Sequence, residues 1–326
     1  MAAKAADRIP DEQGCPGGCR YEPKFDGFRA TAIINEHGGV TLTSRQLTRF
    51  NETFPEVVLA VFDALPTETV VDGEIVRWAG DGRLDFAALQ RRQVAGRRRY
   101  DLARAEPCHY VVFDVLEIRG VDLWGRPLVE RRAVLEDLLG DAAATSLIVA
   151  CPQTDDAGEA RLWMEVLVKQ GIEGIVVKAA AGRYVEGRRG WLKIKHRSTT
   201  EAVVGGVTGR LSAPRILLLG RYTRAGRLRV VGRTAPLPAA AQAAIAGALT
   251  PAGDEHPWPG ELPASWAGGL PGSEPPIQYT RVVPDLVAEI SVDAASERGR
   301  WRHTARYVRL RTDLAPADVP CDLDLE

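Results

Sequence analysis

The chain has 326 residues, 45% of them hydrophobic and 26% charged, with a net charge of -1. This composition is typical of a folded globular protein and excludes an intrinsically disordered chain. No segment has the roughly 18 consecutive apolar residues of a membrane-spanning helix, and the amino-terminal segment lacks the apolar run of a secretory signal, so we expect a cytoplasmic protein. At about 150 residues per domain, the length favours two domains.

The first part of the chain, from about Tyr21 to Lys195, alternates short apolar runs with amphipathic segments. Runs rich in β-branched residues and bounded by Gly, Asp or Pro predict strands at 28–34, 69–76, 109–118 and 173–178. Apolar residues at helical spacing predict helices at 126–139 and 158–171, the second ending at Gly171. This mixture predicts a domain of the α+β class.

The second part of the chain is dominated by predicted strands joined by Gly-rich turns. The strands are expected at 202–209, 215–223, 226–234 and 287–294. An Ala-rich helix is expected near 238–249, and the segment 251–276, dense in Pro, Gly and Trp, reads as a long loop. We therefore predict two domains, 1–199 and 200–326, the second a small β-barrel.

Basic residues are unevenly placed along the chain. Between Arg188 and Arg233 there are twelve Lys or Arg residues and one acidic residue, Glu201, a balance suited to a phosphate backbone. Of the 42 basic residues, 36 are arginine and six are lysine. Because a guanidinium cannot act as a nucleophile, the few lysines mark positions where an amine is required.

Five cysteines, Cys15, Cys19, Cys108, Cys151 and Cys321, are an odd number without the paired spacing of a structural zinc site. The Cys15 and Cys19 pair has no second cluster that would complete four ligands. We therefore expect no structural zinc.

The most specific signal is the segment Lys24-Phe25-Asp26-Gly27-Phe28-Arg29, preceded by Glu22-Pro23. The segment could have no catalytic role and be a surface lysine beside an Asp-Gly turn. Its functional interpretation is nucleophilic catalysis, in which the Lys24 amine attacks the α-phosphate of ATP. That amine must be neutral, so we expect burial or neighbouring cations to lower the pKa of Lys24.

These residues resemble the motifs of the covalent nucleotidyltransferases, which include ATP-dependent DNA ligases, RNA ligases and mRNA capping enzymes. Six motifs follow in order: Lys24–Arg29, Ser44-Arg45, Asp72-Gly73-Glu74, Phe113-Asp114, Glu173–Lys178 and Trp191–Lys195. The segments EPKFDGFRA and EGIVVK are similar to those of the DNA ligase branch. The whole chain resembles the small two-domain bacterial ligases of the ligase C type. The resemblance implies an adenylation domain followed by an oligonucleotide-binding (OB-fold) β-barrel.

The resemblance also implies roles for residues around the nucleotide. Lys24 would carry the AMP, Glu22 would accept a hydrogen bond from the adenine amine, Glu74 would bind the ribose hydroxyls, and Phe113 would stack on adenine. Glu74 lies in an otherwise apolar strand run, where an isolated carboxylate is costly, and this favours function. An aromatic residue in a strand, such as Phe113, is by itself more often a core residue.

Further residues would contact phosphates or a metal. By resemblance, Arg29 and Arg45 would grip ribose or phosphate, although Arg45 alone is typical of a solvated surface arginine. Glu173 would hold a Mg²⁺ or Mn²⁺ ion. The α-phosphate would be neutralised by three lysines, Lys178, Lys193 and Lys195.

The carboxyl-terminal segment 302–314 partly resembles the last motif of the family, which orients the pyrophosphate leaving group. Many relatives end this motif with Asp-Lys, whereas this chain has Asp313-Leu314. Arg309 and Arg311 are therefore the expected pyrophosphate contacts. An alternating basic strand that lies on DNA is an equally good interpretation.

The sequence thus predicts an ATP-dependent DNA ligase that seals nicks in duplex DNA during repair, with ATP and Mg²⁺ or Mn²⁺ as cofactors. We expect a nucleoid-associated monomer without membrane contact, and a repair polymerase or end-joining proteins as partners. An RNA ligase or capping-type enzyme, with another acceptor or nucleotide, is the first alternative. The second is a nucleic-acid-binding protein of the same fold without turnover.

Overall fold

The computed structural model describes residues 1–140, 146–253, 255–263, 266, 275–293, 296–297 and 299–321. The chain forms two compact units, Met1–His196 and Arg197–Glu326. The predicted domain boundary, after residue 199, lies inside the first strand of the second unit, Arg197–Arg210. Among the described residues, no helix is both long enough and apolar enough to cross a membrane.

The first unit contains short helices and strands in alternation. Its strands are β1 (Ala3–Ala5), β2 (Cys19–Pro23), β3 (Phe28–Ile34), β4 (Val40–Ser44), β5 (Thr69–Val76), β6 (His109–Ile118), β7 (Val121–Asp122), β8 (Ile148–Ala150), β9 (Gly174–Ala179) and β10 (Trp191–Lys195). Its α-helices are α1 (Pro55–Ala64), α2 (Phe86–Val94), α3 (Arg99–Ala105), α4 (Leu128–Leu139) and α5 (Ala157–Val166). The predicted strands are confirmed as β3, β5, β6 and β9.

The strands of the first unit form two sheets. One has the order β1-β10-β9-β2, and the other has the order β4-β3-β5-β6-β7, with β8 paired to β6. The core of the larger sheet includes apolar side chains of α1, α2 and α4, namely Val57, Val61, Leu89, Leu135 and Leu139. Since full burial of such a side chain contributes about 1.5–3 kcal/mol, this packing holds the sheet that carries several site residues.

Both predicted helices of the first unit exist, with shifted ends. α4 begins at Leu128 instead of 126, because Pro127 is extended (ψ 149°) and disfavours helical backbone in the residue before it. α5 begins at Ala157 and continues after Val166 as a 3₁₀ turn to Gln170. That turn ends at Gly171 as predicted, with a left-handed φ of 85°.

The second unit is built on one antiparallel sheet. Its elements are β11 (Arg197–Arg210), β12 (Ala213–Tyr222), β13 (Leu228–Arg233), α6 (Ala239–Ala246), β14 (Glu261–Leu262), β15 (Ile277–Gln278), β16 (Thr280–Arg281), β17 (Val287–Asp293), β18 (Ser296–Glu297), β19 (Arg300–Trp301) and β20 (Arg306–Leu310). The main sheet has the order β13-β12-β11-β17-β20, with β16 paired to β11. The predicted strands and the Ala-rich helix are confirmed, and part of the predicted loop 251–276 lies outside the described residues.

Cys15 and Cys19 form a disulfide that the sequence analysis did not predict. The carbonyl groups of Pro16 and Gly18, inside the closed loop, accept hydrogen bonds from the backbone of residues 181 and 180 (3.0 and 2.8 Å). The disulfide loop therefore holds the start of the connection between β9 and β10.

Candidate active site

Lys24 follows β2 and lies directly beside Glu173, which precedes β9. The Lys24 amide donates to the carbonyl of Gly174 (2.8 Å), and the Glu173 amide donates to the carbonyl of Lys24 (2.9 Å). The Lys24 ammonium forms an ion pair with Glu173 Oε2, and Lys195 Nζ lies 3.4 Å from Glu173 Oε1. The predicted nucleophile, the predicted metal ligand and one predicted phosphate contact thus come together.

Two glycines allow this close approach of the motifs. A Cβ atom at Gly27 would lie 2.2 Å from the carbonyl oxygen of Ile75, and one at Gly174 would lie 2.0 Å from that of Ile194. Gly174 also has a φ of 151°, which L side chains rarely adopt. Only glycine therefore permits the turn after Lys24 to pack on β5, and the start of β9 to pack on β10.

The pKa of Lys24 is set by opposing effects. Burial alone lowers it, but the ion pair with Glu173 and the negative charge of Glu74 outweigh burial and raise the pKa of Lys24 above its ordinary value. The expectation of a lowered pKa was wrong for this arrangement, because the Glu173 carboxylate forms an ion pair with the amine and Glu74 and Asp26 add further negative charge. Burial, followed by Lys24 itself, instead lowers the pKa of Lys193.

A second group of site residues surrounds Glu22, which is buried on β2. Glu22 Oε2 lies 2.7 Å from Lys178 Nζ, and Glu22 Oε1 accepts a hydrogen bond from Gln153 Nε2 (2.7 Å). Lys178 Nζ also donates to the carbonyl of Phe113 (2.9 Å) and lies 4.7 Å from the centre of its ring. These residues form a wall that combines a flat aromatic ring with buried donors and acceptors.

Arg29 lies next to Phe113 and is hydrogen-bonded to other protein groups. Its guanidinium makes two hydrogen bonds to Asp72 (3.1 and 2.6 Å) and lies 5.5 Å from the centre of the Phe113 ring. The hydroxyl of Tyr184 donates to Asp72 (2.7 Å) and lies 3.1 Å from Arg29 Nη2. Arg29 Nη1 also donates to the carbonyl of Met1 (2.6 Å). Arg29 therefore fixes the position of β3 against β5 and Phe113.

Glu74 is half-buried on β5, opposite Arg29 in the strand register. Burial raises its pKa to about 8, against the opposing effect of Lys24 and Arg29. A ligand hydroxyl that donates a hydrogen bond to Glu74 would stabilise the charged form of this carboxylate. Glu74 and Lys24 lie close enough for the charge of each to affect the pKa of the other.

A basic pocket of about 280 Å³ lies beside the residues that surround Lys24. Its lining side chains include four cations, and none of the described residues that line it is acidic: Ala2, Ala3, Lys4, Ala5, Arg45, Arg189 and Lys193. Lys193 lines this pocket and also lies near Lys24, because the charges of Lys24 and Arg189 both lower the pKa of Lys193. The pocket is therefore close to the predicted nucleophile. The pocket suits a phosphate group.

Arg309 and Arg311, the predicted pyrophosphate contacts, belong to the second unit and pair with carboxylates there. Arg309 Nε lies 2.8 Å from Glu289 Oε2. Arg311 binds Glu201 (2.7 Å) and makes two hydrogen bonds to Asp313 (2.9 and 2.8 Å). A role at pyrophosphate would require both arginines to exchange these partners.

Comparison with known proteins identifies the chemistry that this geometry serves. The family model of the ATP-dependent DNA ligase domain matches residues 1–195. The chain belongs to the ATP-dependent DNA ligase family. The ligase is 34% identical to DNA ligase C2 of Mycolicibacterium smegmatis, over 96% of this chain and 90% of that protein. It is also 34% identical to DNA ligase C of Mycobacterium tuberculosis, over 97% of this chain and 90% of that protein.

Solved structures agree with this membership. A mycobacterial DNA ligase D complexed with ATP and MES is 27% identical, covers 98% of both chains and has a TM-score of 0.50. A Lig E DNA ligase shares the fold, with 16% identity, 95% and 99% coverage and a TM-score of 0.53. The predicted family, the predicted enzyme class and the nucleotidyltransferase fold of the first unit are thereby confirmed.

Sequence reasoning overlooked two residues of the ligase site, Gln153 and Tyr184. Both lie between regular elements, where no periodicity marks a residue that contacts the side chains of the site. Asp72 was part of a quoted motif without an assigned role, and its place in an apolar run was the same signal that marked Glu74.

Proposed function

We propose that this ligase seals nicks in duplex DNA through a covalent Lys24-AMP intermediate. The observation that carries the proposal is the position of Lys24 against Glu173, with Lys195 on the other carboxylate oxygen. The neutral Lys24 amine attacks the α-phosphorus of ATP, and the bond to the β-phosphate breaks to release pyrophosphate. AMP then passes to the 5′-phosphate of the nick, and the neighbouring 3′-hydroxyl displaces AMP as the strand closes.

The wall around Glu22 is proposed to bind the adenine ring. Glu22 accepts from the adenine amine, Phe113 stacks on the base, and Glu74 accepts from a ribose hydroxyl. Lys178 was predicted at the α-phosphate, but its ion pair with Glu22 and its contact with Phe113 support a contact with adenine instead. Lys193 and Lys195 remain as the α-phosphate contacts.

Glu173 is proposed to bind a divalent cation together with ATP. The described residues contain no cluster of three or more His, Cys, Asp or Glu side chains that would form a metal site on their own. A single buried carboxylate fits Mg²⁺ or Mn²⁺, since such ions are commonly held by one or two carboxylates, substrate phosphates and water. When bound, the ion would neutralise negative charge on the α-phosphate.

The acceptor DNA is proposed to contact the basic pocket and the second unit. Arg45, with the other pocket cations, suits the 5′-phosphate of the nick. The antiparallel sheet of the second unit supports an OB-fold barrel, and Arg309 and Arg311 stay candidates for pyrophosphate or DNA. Arg29 contributes through its support of Phe113.

A role in DNA repair accompanies this proposal. A Mycobacterium bovis relative that is 32% identical over 92% of this chain is named multifunctional non-homologous end joining protein LigD, and this chain covers 37% of it. We propose a monomer that acts at the nucleoid in the cytoplasm, with a repair polymerase or end-joining proteins as partners.

Intact-protein mass after incubation of AMP-free ligase with ATP and Mg²⁺ tests the proposal. We expect wild type and Lys169→Ala, which alters an exposed lysine, to gain the mass of one AMP, and Lys24→Ala to gain none. Addition of nicked DNA should discharge the adduct and yield sealed product. An adduct that persists with nicked DNA but is discharged by nicked RNA would support the RNA ligase alternative, and the absence of any adduct would refute the role of Lys24.

A further inference from the structure

We propose that Gln153 is a positioning residue that makes the ligase select ATP over GTP by fixing the orientation of the Glu22 carboxylate. The inference rests on the proposed function, in which Glu22 faces the adenine amine. Gln153 Nε2 donates to Glu22 Oε1 at 2.7 Å, across 131 residues of sequence.

The loop that carries Gln153 is hydrogen-bonded to regular elements on both sides of that residue. The amide of Cys151, at the start of that loop, donates to the carbonyl of Val112 on β6 (2.7 Å). Arg132 on α4 donates to the carbonyl of Cys151 (2.6 Å). Thr154, at the other end, exchanges two backbone hydrogen bonds with Tyr21 on β2 (2.8 and 3.0 Å). Because Tyr21 precedes Glu22, these backbone hydrogen bonds fix the position of the loop relative to the strand that carries Glu22.

The contacts of Glu22 divide its two oxygens between two donors. Oε2 pairs with Lys178, and Oε1 accepts from Gln153. The side chain of Glu22 is only 3% exposed, so water cannot replace a lost partner. Without the Gln153 amide, the carboxylate would keep one fixed oxygen and could rotate about the contact with Lys178.

That orientation matters because adenine and guanine present opposite groups at the same edge. Adenine has an amino donor at position 6 and an acceptor at N1, whereas guanine has an acceptor at position 6 and a donor at N1. A fixed carboxylate beside an ammonium group matches the adenine pattern at both positions. Against guanine, the Glu22 carboxylate meets a carbonyl oxygen and the Lys178 ammonium meets an N–H group, so both contacts are repulsive.

The test compares Gln153→Leu and Gln153→Met, which lack the amide donor, with Gln170→Leu, which alters an exposed glutamine. Formation of labelled AMP and GMP adducts is measured on AMP-free protein across ATP and GTP concentrations. Loss of one hydrogen bond to a buried charged group is expected to raise the KM for ATP about tenfold and lower the ATP/GTP ratio of kcat/KM about tenfold. The kcat with ATP should stay near the wild-type value, and the Tm should fall by only a few degrees because one donor to a buried carboxylate is lost.

The outcomes separate this inference from the proposed function. If both Gln153 variants keep the wild-type ATP/GTP ratio while Glu22→Ala loses it, Glu22 reads adenine without help from Gln153 and the inference is refuted. If Glu22→Ala also keeps the ratio, the proposed adenine contact of Glu22 fails, and the role of Gln153 fails with it. A loss of selectivity in folded Gln153 variants at unchanged kcat supports the inference.

Discussion

Lys24 is surrounded by groups whose charges oppose one another. Glu173 stabilises the ammonium form, while burial favours the neutral amine that can attack phosphorus. The charged form of Glu74 is disfavoured in the same site. Its carboxylate is half-buried, and burial raises its pKa although Lys24 and Arg29 lie nearby. A site in which both an amine and a carboxylate depart from their ordinary pKa values is typical of an active site.

Glu74 gives the stability of the AMP-free ligase a specific pH dependence. Its pKa of about 8 in the folded protein exceeds the ordinary value of 4.5, so the folded state binds the proton more tightly than the unfolded state. This contribution is complete below about pH 4.5 and is lost as the pH rises towards 8, with a total of roughly 2–4 kcal/mol. Glu74→Gln should therefore be more stable than wild type at pH 8 and similar to it at pH 5.

Calorimetric Tm values at pH 5, 6.5 and 8 check this prediction. Glu165→Gln, at an exposed position, serves as the matched control and should follow wild type throughout. Equal pH dependence in Glu74→Gln and wild type would show that Glu74 titrates normally.

At the scale of elements, long-range ion pairs attach helices and loops to the site strands. Arg131 on α4 makes a buried two-point contact with Asp114 on β6 (2.7 and 3.0 Å). The same arginine donates to the carbonyl of Gly182 (3.2 Å), in the connection that carries Tyr184. One guanidinium therefore joins α4, the strand that bears Phe113, and the connection behind Arg29.

Removal of one partner of this pair should be costly. Arg131→Met leaves the Asp114 carboxylate buried without its cation, which is expected to lower the free energy of unfolding by about 3–5 kcal/mol. The double variant Arg131→Met, Asp114→Leu should recover much of that loss, because no uncompensated charge remains. Urea unfolding curves measure both.

Arg126→Met is the control for this experiment, since its pair with Glu130 is exposed and should contribute less than about 1 kcal/mol. An Arg131→Met variant that loses no more stability than Arg126→Met would show that the buried pair does not hold α4 in place.

At the scale of the whole molecule, a net charge of -1 conceals a strongly uneven distribution. The cations of the basic pocket are separated in sequence, with Lys4 on β1, Arg45 after β4, and Arg189 and Lys193 around the start of β10. Folding brings them together, whereas acidic residues pair with Arg309 and Arg311 in the second unit. Local charge therefore predicts DNA binding better than net charge does.

Binding of nicked duplex DNA should accordingly depend on salt and on the pocket. If Arg189 contacts a backbone phosphate, Arg189→Ala should reduce the slope of log K against log salt by about 0.9 and weaken binding of all sequences equally. Arg97→Ala, at an exposed position outside the pocket, should keep the wild-type slope. Fluorescence anisotropy at several salt concentrations measures both slopes, and equal slopes would exclude Arg189 from the phosphate contacts.

The sequence by itself determined the family, the enzyme class and four strands of the first unit, β3, β5, β6 and β9. Lys24–Arg29 and Glu173–Lys178 are contiguous segments whose residue types and order carry their own signal, and β-branched runs such as 109–118 form strands without distant help. The individual roles of the site residues stay predictions, because the comparisons establish the family and not the function of each side chain.

Only the tertiary structure decided which side chains meet. Glu173 lies 149 residues from Lys24, and Gln153 lies 131 residues from Glu22, so neither contact leaves a local pattern. The raised pKa of Lys24 and the place of Lys178 beside Glu22 follow from such contacts. The physical reason is that burial and Coulomb interactions depend on distance in space, whereas the sequence records only distance along the chain.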